Sequence, residues 1–177
     1  MITETIVATT VPTSAGPLAV LASPDGVVRA AGFASVPTMA ARLEQAAGPF
    51  ALREVGPDSG DPALTEALDA LRAYAAGDLG ALGRVRVSQP GGPFMQDAWL
   101  AMRRIAPGST LTYAELAAAA GRPAAVRAAG SACARNLVAP FVPCHRVVRT
   151  GGALGGYYYG LDVKRSLLRA EQEAAAT

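Results

Sequence analysis

The apolar positions of this chain fall into two regimes. Residues 3–10, 17–22 and 26–33 are short β-leaning runs, separated by Thr-Ser-Ala-Gly-Pro and Ser-Pro-Asp-Gly. The Asp25-Gly26 pair predicts a hairpin turn, because glycine tolerates the positive φ such turns need. Residues 37–46 and 62–76 carry a helical period. In the second, Leu64, Leu68, Leu71 and Tyr74 recur at helical spacing, and Gly77 is a natural stop. Residues 50–55 predict a further strand. These elements make a small α/β unit with no chemistry of its own. The run Ser88-Gln89-Pro90-Gly91-Gly92-Pro93 breaks the pattern and reads as a linker, which sets two domains, 1–88 and 89–177.

Beyond the linker the pattern is helical. Phe94 to Ile105 places Phe94, Trp99, Met102 and Ile105 on its apolar positions, with Trp99 read as core. Thr112-Tyr113-Ala114-Glu115 is a capping box in sequence, and the helix it opens runs to about Ala120 and stops at Gly121. Pro123 then starts a second helix through about Arg135. Two short helices joined by Gly-Arg-Pro form a helix-turn-helix candidate. The second, AAVRAAGSACAR, is nearly all small residues, with Arg127 and Arg135 its only charges. Such a surface suits close approach to a nucleic-acid groove or close packing against another helix. Gly151 to Tyr157 reads as a flexible loop. Leu161 to Glu173 is the last helix, with Asp162 in its first turn and Leu167-Leu168 facing inward.

Composition narrows the class. The chain has 177 residues, 51% of them hydrophobic, which is enough for a full core in one compact unit or two small ones. The N-terminus has no basic n-region and no apolar run approaches a membrane span, so a soluble, cytoplasmic protein without membrane partners is expected. Cys133 and Cys144 make no disulfide framework, and with a single histidine they leave no zinc site. The net charge of +2 is unevenly spread. Residues 1–90 hold six arginines against nine carboxylates, and residues 91–177 hold nine arginines and one lysine against five. A basic second half fits contact with a polyanion, and it equally fits ordinary solvated faces.

The chemistry converges on Pro143-Cys144-His145-Arg146-Val147, where the only histidine adjoins a cysteine. A thiol attacks as its thiolate, and an imidazole can take its proton. Neighbouring side chains in an extended strand point to opposite faces, so a Cys144-His145 partnership needs a bend or a bridging water. Pro143 makes the bend plausible. The surrounding run NLVAPFVPCHRVV, followed by GGALGGYYYGLDVKRSLLRAE, resembles the signature of the O6-alkylguanine-DNA alkyltransferases. The shared features are an asparagine eight residues before the cysteine of a PCHR core, a Gly/Tyr-rich loop, and a helix with Lys-x-x-Leu-Leu-x-x-Glu. The resemblance covers the second half well and the first half more loosely.

The resemblance implies a ribonuclease-H-like α/β scaffold followed by a mostly helical, winged-helix-like domain. The implied reaction is the irreversible transfer of an alkyl group from O6-alkylguanine in duplex DNA to Cys144, with O4-alkylthymine as a secondary candidate. It needs no cofactor and no metal, and the protein acts once, as a monomer. A duplex hides the O6 atom, so the base must be flipped out. Glu171 is implied to orient His145, as a carboxylate orients the imidazole of a triad, and Asn136 to hold the cysteine turn. DNA contacts fall to Tyr113, Arg127, Arg135 and Arg146. Tyr113 crowds the target phosphate, and Arg127 fills the gap left by the base. The substrate pocket is assigned to Tyr113, Cys133, Val147 and Lys164 with Leu154, Gly155, Tyr157, Tyr158 and Tyr159 of the loop. Cys133 itself reads as a small apolar residue.

Three departures from the family pattern stand out. Leu137 occupies a usual proline position, which predicts a looser approach to the cysteine turn. Tyr158-Tyr159 replace small residues, and Tyr159 is expected to intrude on the pocket because Gly160 permits a tight turn beside it. The usual threonine before Phe94 is absent. Two other classes use the same residues. A cysteine hydrolase would turn over repeatedly on small acyl substrates, and a helix-turn-helix regulator would bind DNA sequence-specifically and survive loss of Cys144.

Overall fold

The computed structural model describes residues 3–177 and divides into two compact units. They part at Pro90/Gly91, where the sequence pattern sets 88/89, and Leu137–Phe141 returns to the first unit. The chain therefore passes between the units three times.

The first unit is built on four strands, β1 (Thr5–Val11), β2 (Leu18–Ala22), β3 (Val28–Gly32) and β4 (Ala51–Glu54), in the order β3-β2-β1-β4. The β1–β2 and β2–β3 pairs are antiparallel, and β4 joins β1 in parallel. The Asp25-Gly26 turn forms as the sequence predicts, with Gly26 at φ 88° and its N–H on Ser23 O at 2.9 Å. Helix α1 (Val36–Ala47) is capped by Ser35, whose hydroxyl accepts from the Thr38 N–H, and buries Val36, Met39 and Leu43. Helix α2 (Thr65–Ala75) buries Ala67, Leu68 and Leu71.

An open sheet edge invites unwanted pairing, so its cover matters. The free edge of β3 is covered by two short segments. Val28 donates to Arg86 O and accepts from the Ser88 N–H, and Ala31 donates to Leu137 O at 2.7 Å. The Leu137 N–H in turn donates to the buried Gln89 Oε1 at 2.8 Å. Proline has no N–H to offer there. The departure at Leu137 thus comes with its own anchor, and the segment is pinned where the sequence predicts looseness.

The second unit holds α3 (Pro93–Arg103), β5 (Leu111–Thr112), α4 (Tyr113–Ala119), α5 (Val126–Arg135), a 3-10 turn at Cys144–Arg146, β6 (Val147–Val148) and α6 (Leu161–Ala175). Both halves of the predicted capping box are made: Thr112 Oγ1 accepts from the Glu115 N–H, and Glu115 Oε1 from the Thr112 N–H. Helix α5 starts at Val126, three residues later than the sequence predicts. Pro123 instead takes the second position of a turn closed by Ala125 N–H to Arg122 O at 2.9 Å. Trp99 is core, and its indole N–H donates to Ala132 O at 2.9 Å, satisfying a carbonyl in the last turn of α5. Ala129 and Ala132 are the buried residues of α5.

Strands β5 and β6 pair in parallel, Leu111 opposite Val147 and Thr112 opposite Val148. This short ladder sets the cysteine turn beside the start of α4. No helix among the described residues is long and apolar enough to cross a membrane.

Candidate active site

The bend expected at Pro143 is an inverse γ-turn. Pro143 sits at φ −85°, ψ 66°, and the Cys144 N–H donates to Val142 O at 2.9 Å. Asn136 braces this turn: it ends α5, and its side-chain amide donates to the same Val142 carbonyl at 2.8 Å. The 3-10 turn that follows rotates Cys144 and His145 into different surroundings. Cys144 lines a cavity of about 490 Å³, while His145 is wholly buried.

Behind the cavity wall His145, Arg146 and Glu171 share one buried carboxylate. His145 Nε2 lies 2.8 Å from Glu171 Oε1, and Arg146 reaches both carboxylate oxygens at 2.9 Å through Nε and Nη2. The remaining arm of Arg146 donates to Ile105 O at 2.8 Å. Burial pushes the Glu171 carboxyl up, but the hydrogen bonds from His145 and Arg146 outweigh it and hold the group well below the usual range. Burial lowers the His145 pKa despite the opposing pull of Glu171. The pair is therefore a carboxylate beside a neutral imidazole. A neutral ring facing a carboxylate through Nε2 places its proton there, leaving Nδ1 as the basic nitrogen. Nδ1 is buried and has no hydrogen-bond partner among the described residues.

The cavity is walled by one stripe of α5 and by the loop after β6. Val126, Gly130 and Ala134, with Arg127 and Cys133, face it from the helix. A Cβ added at Gly130 would meet nothing within 4 Å, so the smooth helix face is open on this side. Tyr113, Arg149, Gly156, Tyr157 and Tyr158 complete the wall. Burial, with smaller contributions from nearby Cys133 and Cys144, raises the Tyr113 pKa against the opposing effect of Arg149. The phenol keeps its proton and is a donor. Burial likewise pushes the Cys133 thiol up, so it stays protonated and a poor nucleophile.

Of the residues assigned to the pocket from sequence, Tyr113, Cys133, Tyr157 and Tyr158 line it. Val147, Leu154, Gly155, Tyr159 and Lys164 do not. Lys164 is buried, and its ammonium donates to the carbonyls of Val147, Leu154 and Gly156. It clasps the loop rather than facing the cavity. Gly155, at φ 72°, lies so close to Tyr113 that an added Cβ would stand 2.7 Å from the hydroxyl. Tyr159 is not the intruder. Its ring packs edge-on against Tyr157 and Tyr158, and Tyr158 is the tyrosine of that pair that borders the cavity.

Arg146 requires a correction. Sequence assigns it to DNA, but its guanidinium is buried and fully engaged by Glu171 and Ile105. A charge so placed cannot reach a phosphate. Arg127 and Arg135 are exposed, Arg127 on the cavity and Arg135 in the last turn of α5. Sequence reasoning misses Val126, Gly130, Ala134 and Arg149. The first three are legible as an i, i+4, i+8 stripe once α5 is placed. Arg149 has no such signal, because the strand that presents it is two residues long.

Residues 93–173 match the family model described as 6-O-methylguanine DNA methyltransferase, DNA binding domain. The chain is 40% identical to a methylated-DNA–protein-cysteine methyltransferase of Mycobacterium bovis, over 86% of this chain and 90% of that protein. It is 52% identical to the Escherichia coli bifunctional transcriptional activator/DNA repair enzyme Ada, over 47% of this chain and 23% of that longer protein. The crystal structure of Mycobacterium tuberculosis OGT in complex with DNA superposes with a TM-score of 0.73 at 29% identity, covering 95% of this chain and 94% of that one. With a cysteine opening on a cavity, a buried His-Glu pair behind it and these relatives, the chain belongs to the O6-methylguanine-DNA methyltransferase family.

Proposed function

We propose that this protein repairs DNA by direct reversal, moving the alkyl group of O6-alkylguanine in duplex DNA to Cys144 in a single turnover. The observation that carries this reading is Cys144 facing a cavity of about 490 Å³, with His145 and Glu171 buried behind it. That volume falls within the roughly 300–1,000 Å³ of small-molecule pockets, room for one extruded base. The chemistry follows from the charge states. Glu171 holds His145 with Nδ1 as base, and Nδ1 takes the Cys144 proton through a water. The thiolate attacks the alkyl carbon in line, forming an S–C bond as the C–O6 bond breaks. The electron pair returns to the guanine, and the released proton ends on the base. Tyr113, held protonated, donates to the departing oxygen. The balance closes without a cofactor, and Cys133, held as a thiol, does not resolve the thioether.

The wider reading is consistent with this site. The β3-β2-β1-β4 order, antiparallel and then parallel, supports a ribonuclease-H-like first unit. The α4–α5 pair with the β5–β6 ladder supports a winged-helix-like second unit, α5 lying in the minor groove. A working free thiol supports a reducing compartment, the cytoplasm.

Incubation with excess duplex bearing O6-methylguanine tests the proposal. Demethylation should plateau at one base per protein molecule. Continued turnover, or hydrolysis of small esters without DNA, would instead favour a cysteine hydrolase.

A further inference from the structure

Arg149 is the cation of this cavity that no motif marks. It follows β6 directly, and the parallel register of Thr112 with Val148 sets it alongside Tyr113. Its backbone is fixed by a tight turn: the Arg149 N–H donates to Ala153 O at 2.8 Å, and its carbonyl accepts from the Gly152 N–H at 3.1 Å. Gly151 and Gly152, at φ 86° and 87°, make that turn, which L side chains would strain. The side chain, by contrast, is exposed and borders the cavity. Among the described residues it forms no ion pair. Five arginines of the first unit behave differently: Arg29, Arg53, Arg72, Arg84 and Arg86 each hold a carboxylate. A fixed backbone carrying an uncommitted guanidinium beside a base-sized cavity is arranged to meet an anion that arrives with the base.

We infer that Arg149 is a positioning residue that holds a phosphate flanking the extruded nucleotide, so that the cavity prefers a base within a strand to the same base free. This rests on the alkyl-transfer reading above. A guanidinium fork matches phosphate geometry in two parallel hydrogen bonds, and such contacts fix position without reading sequence. Arg127 comes to the cavity from α5, a separate element, and its contribution adds to that of Arg149 without replacing it.

The test compares Arg149→Ala and Arg149→Lys with the unaltered protein on O6-methylguanine in a duplex and on the free modified base. Arg149→Ala should slow transfer from the duplex about tenfold, the loss of one charged contact, and slow the free base much less. The salt dependence of duplex binding should fall by about 0.9 in slope. Arg149→Lys should restore the slope and only part of the rate, since an ammonium lacks the fork. Equal losses on both substrates would mean that Arg149 shapes the cavity, and an unchanged salt slope would mean that it touches no phosphate. Either overturns the inference. If the unaltered protein transfers from neither substrate, the alkyl-transfer reading fails, and the salt slope still decides the role of Arg149.

Discussion

His145 turns its Nε2 to Glu171, 2.8 Å away, and keeps its Nδ1 buried without a protein partner among the described residues. One nitrogen is thereby fixed as donor and the other is left as base. Replacing Glu171 by Gln removes the acceptor charge while keeping the shape. The imidazole loses its orientation and part of its basicity, so transfer should slow by about 100-fold or more. Duplex affinity should hold. Single-turnover rates and gel-shift titrations on the same preparation check both halves.

Arg146 shares that carboxylate from the other side. Removing one partner of a buried pair strands the other, at a cost of about 3–5 kcal/mol. Arg146→Ala should therefore lower the urea midpoint sharply and leave the salt slope of DNA binding unchanged in the fraction that folds. A reduced slope at intact stability would return Arg146 to the DNA surface.

Acid should weaken the second unit in two stages. Burial depresses the His145 pKa, so below the ordinary histidine value of about 6.5 the unfolded chain gains a proton that the fold refuses. Glu171 is also held low, its hydrogen bonds overcoming burial, so its contribution is present above the ordinary value of about 4.3 and lost as pH falls through the folded value. Both groups bind more protons unfolded, so stability rises with pH across this range. Urea midpoints should hold from pH 8 to about 6.5 and fall from there towards pH 3, and Glu171→Gln should flatten the part of the curve below about 4.3.

How much of this was legible in sequence depends on range. The Asp25-Gly26 turn, the Thr112–Glu115 capping box and the helix pair across Gly121 are written within a few residues, and they form. The start of α5 is misread because Pro123 suits a turn as well as a helix start. Strands β5 and β6 are each two residues long and exist only through each other. The role of Arg146 is invisible for the same reason: its partners Ile105 and Glu171 lie far along the chain. Tyr158 and Tyr159 were separable only by where each ring turned.

That last distinction carries a consequence for specificity. Tyr158 borders the cavity, and Tyr159 packs edge-on against its neighbours. Tyr158→Gly should speed reaction with O6-benzylguanine relative to O6-methylguanine. Tyr159→Gly should give no such gain and loosen the loop. The ratio of the two labelling rates in each variant decides between the rings.

Gly155 and Tyr113 should behave as a coupled pair. An added methyl would stand 2.7 Å from the phenol oxygen on a backbone at φ 72°, so Gly155→Ala should slow transfer by displacing Tyr113 or the loop. In a Tyr113→Ala background part of that penalty should vanish, because the clash is gone. A double-mutant cycle measures the coupling, and fully additive losses would mean that the two do not act on each other.

The most direct measurement is the position of the alkyl group after reaction. Protein incubated with duplex carrying isotopically labelled O6-methylguanine is digested, and the peptides are sequenced by mass spectrometry. The account predicts one labelled methyl per molecule, on Cys144 Sγ, absent in Cys144→Ala and retained in Cys133→Ser. Label on Cys133, or its persistence in Cys144→Ala, would contradict it.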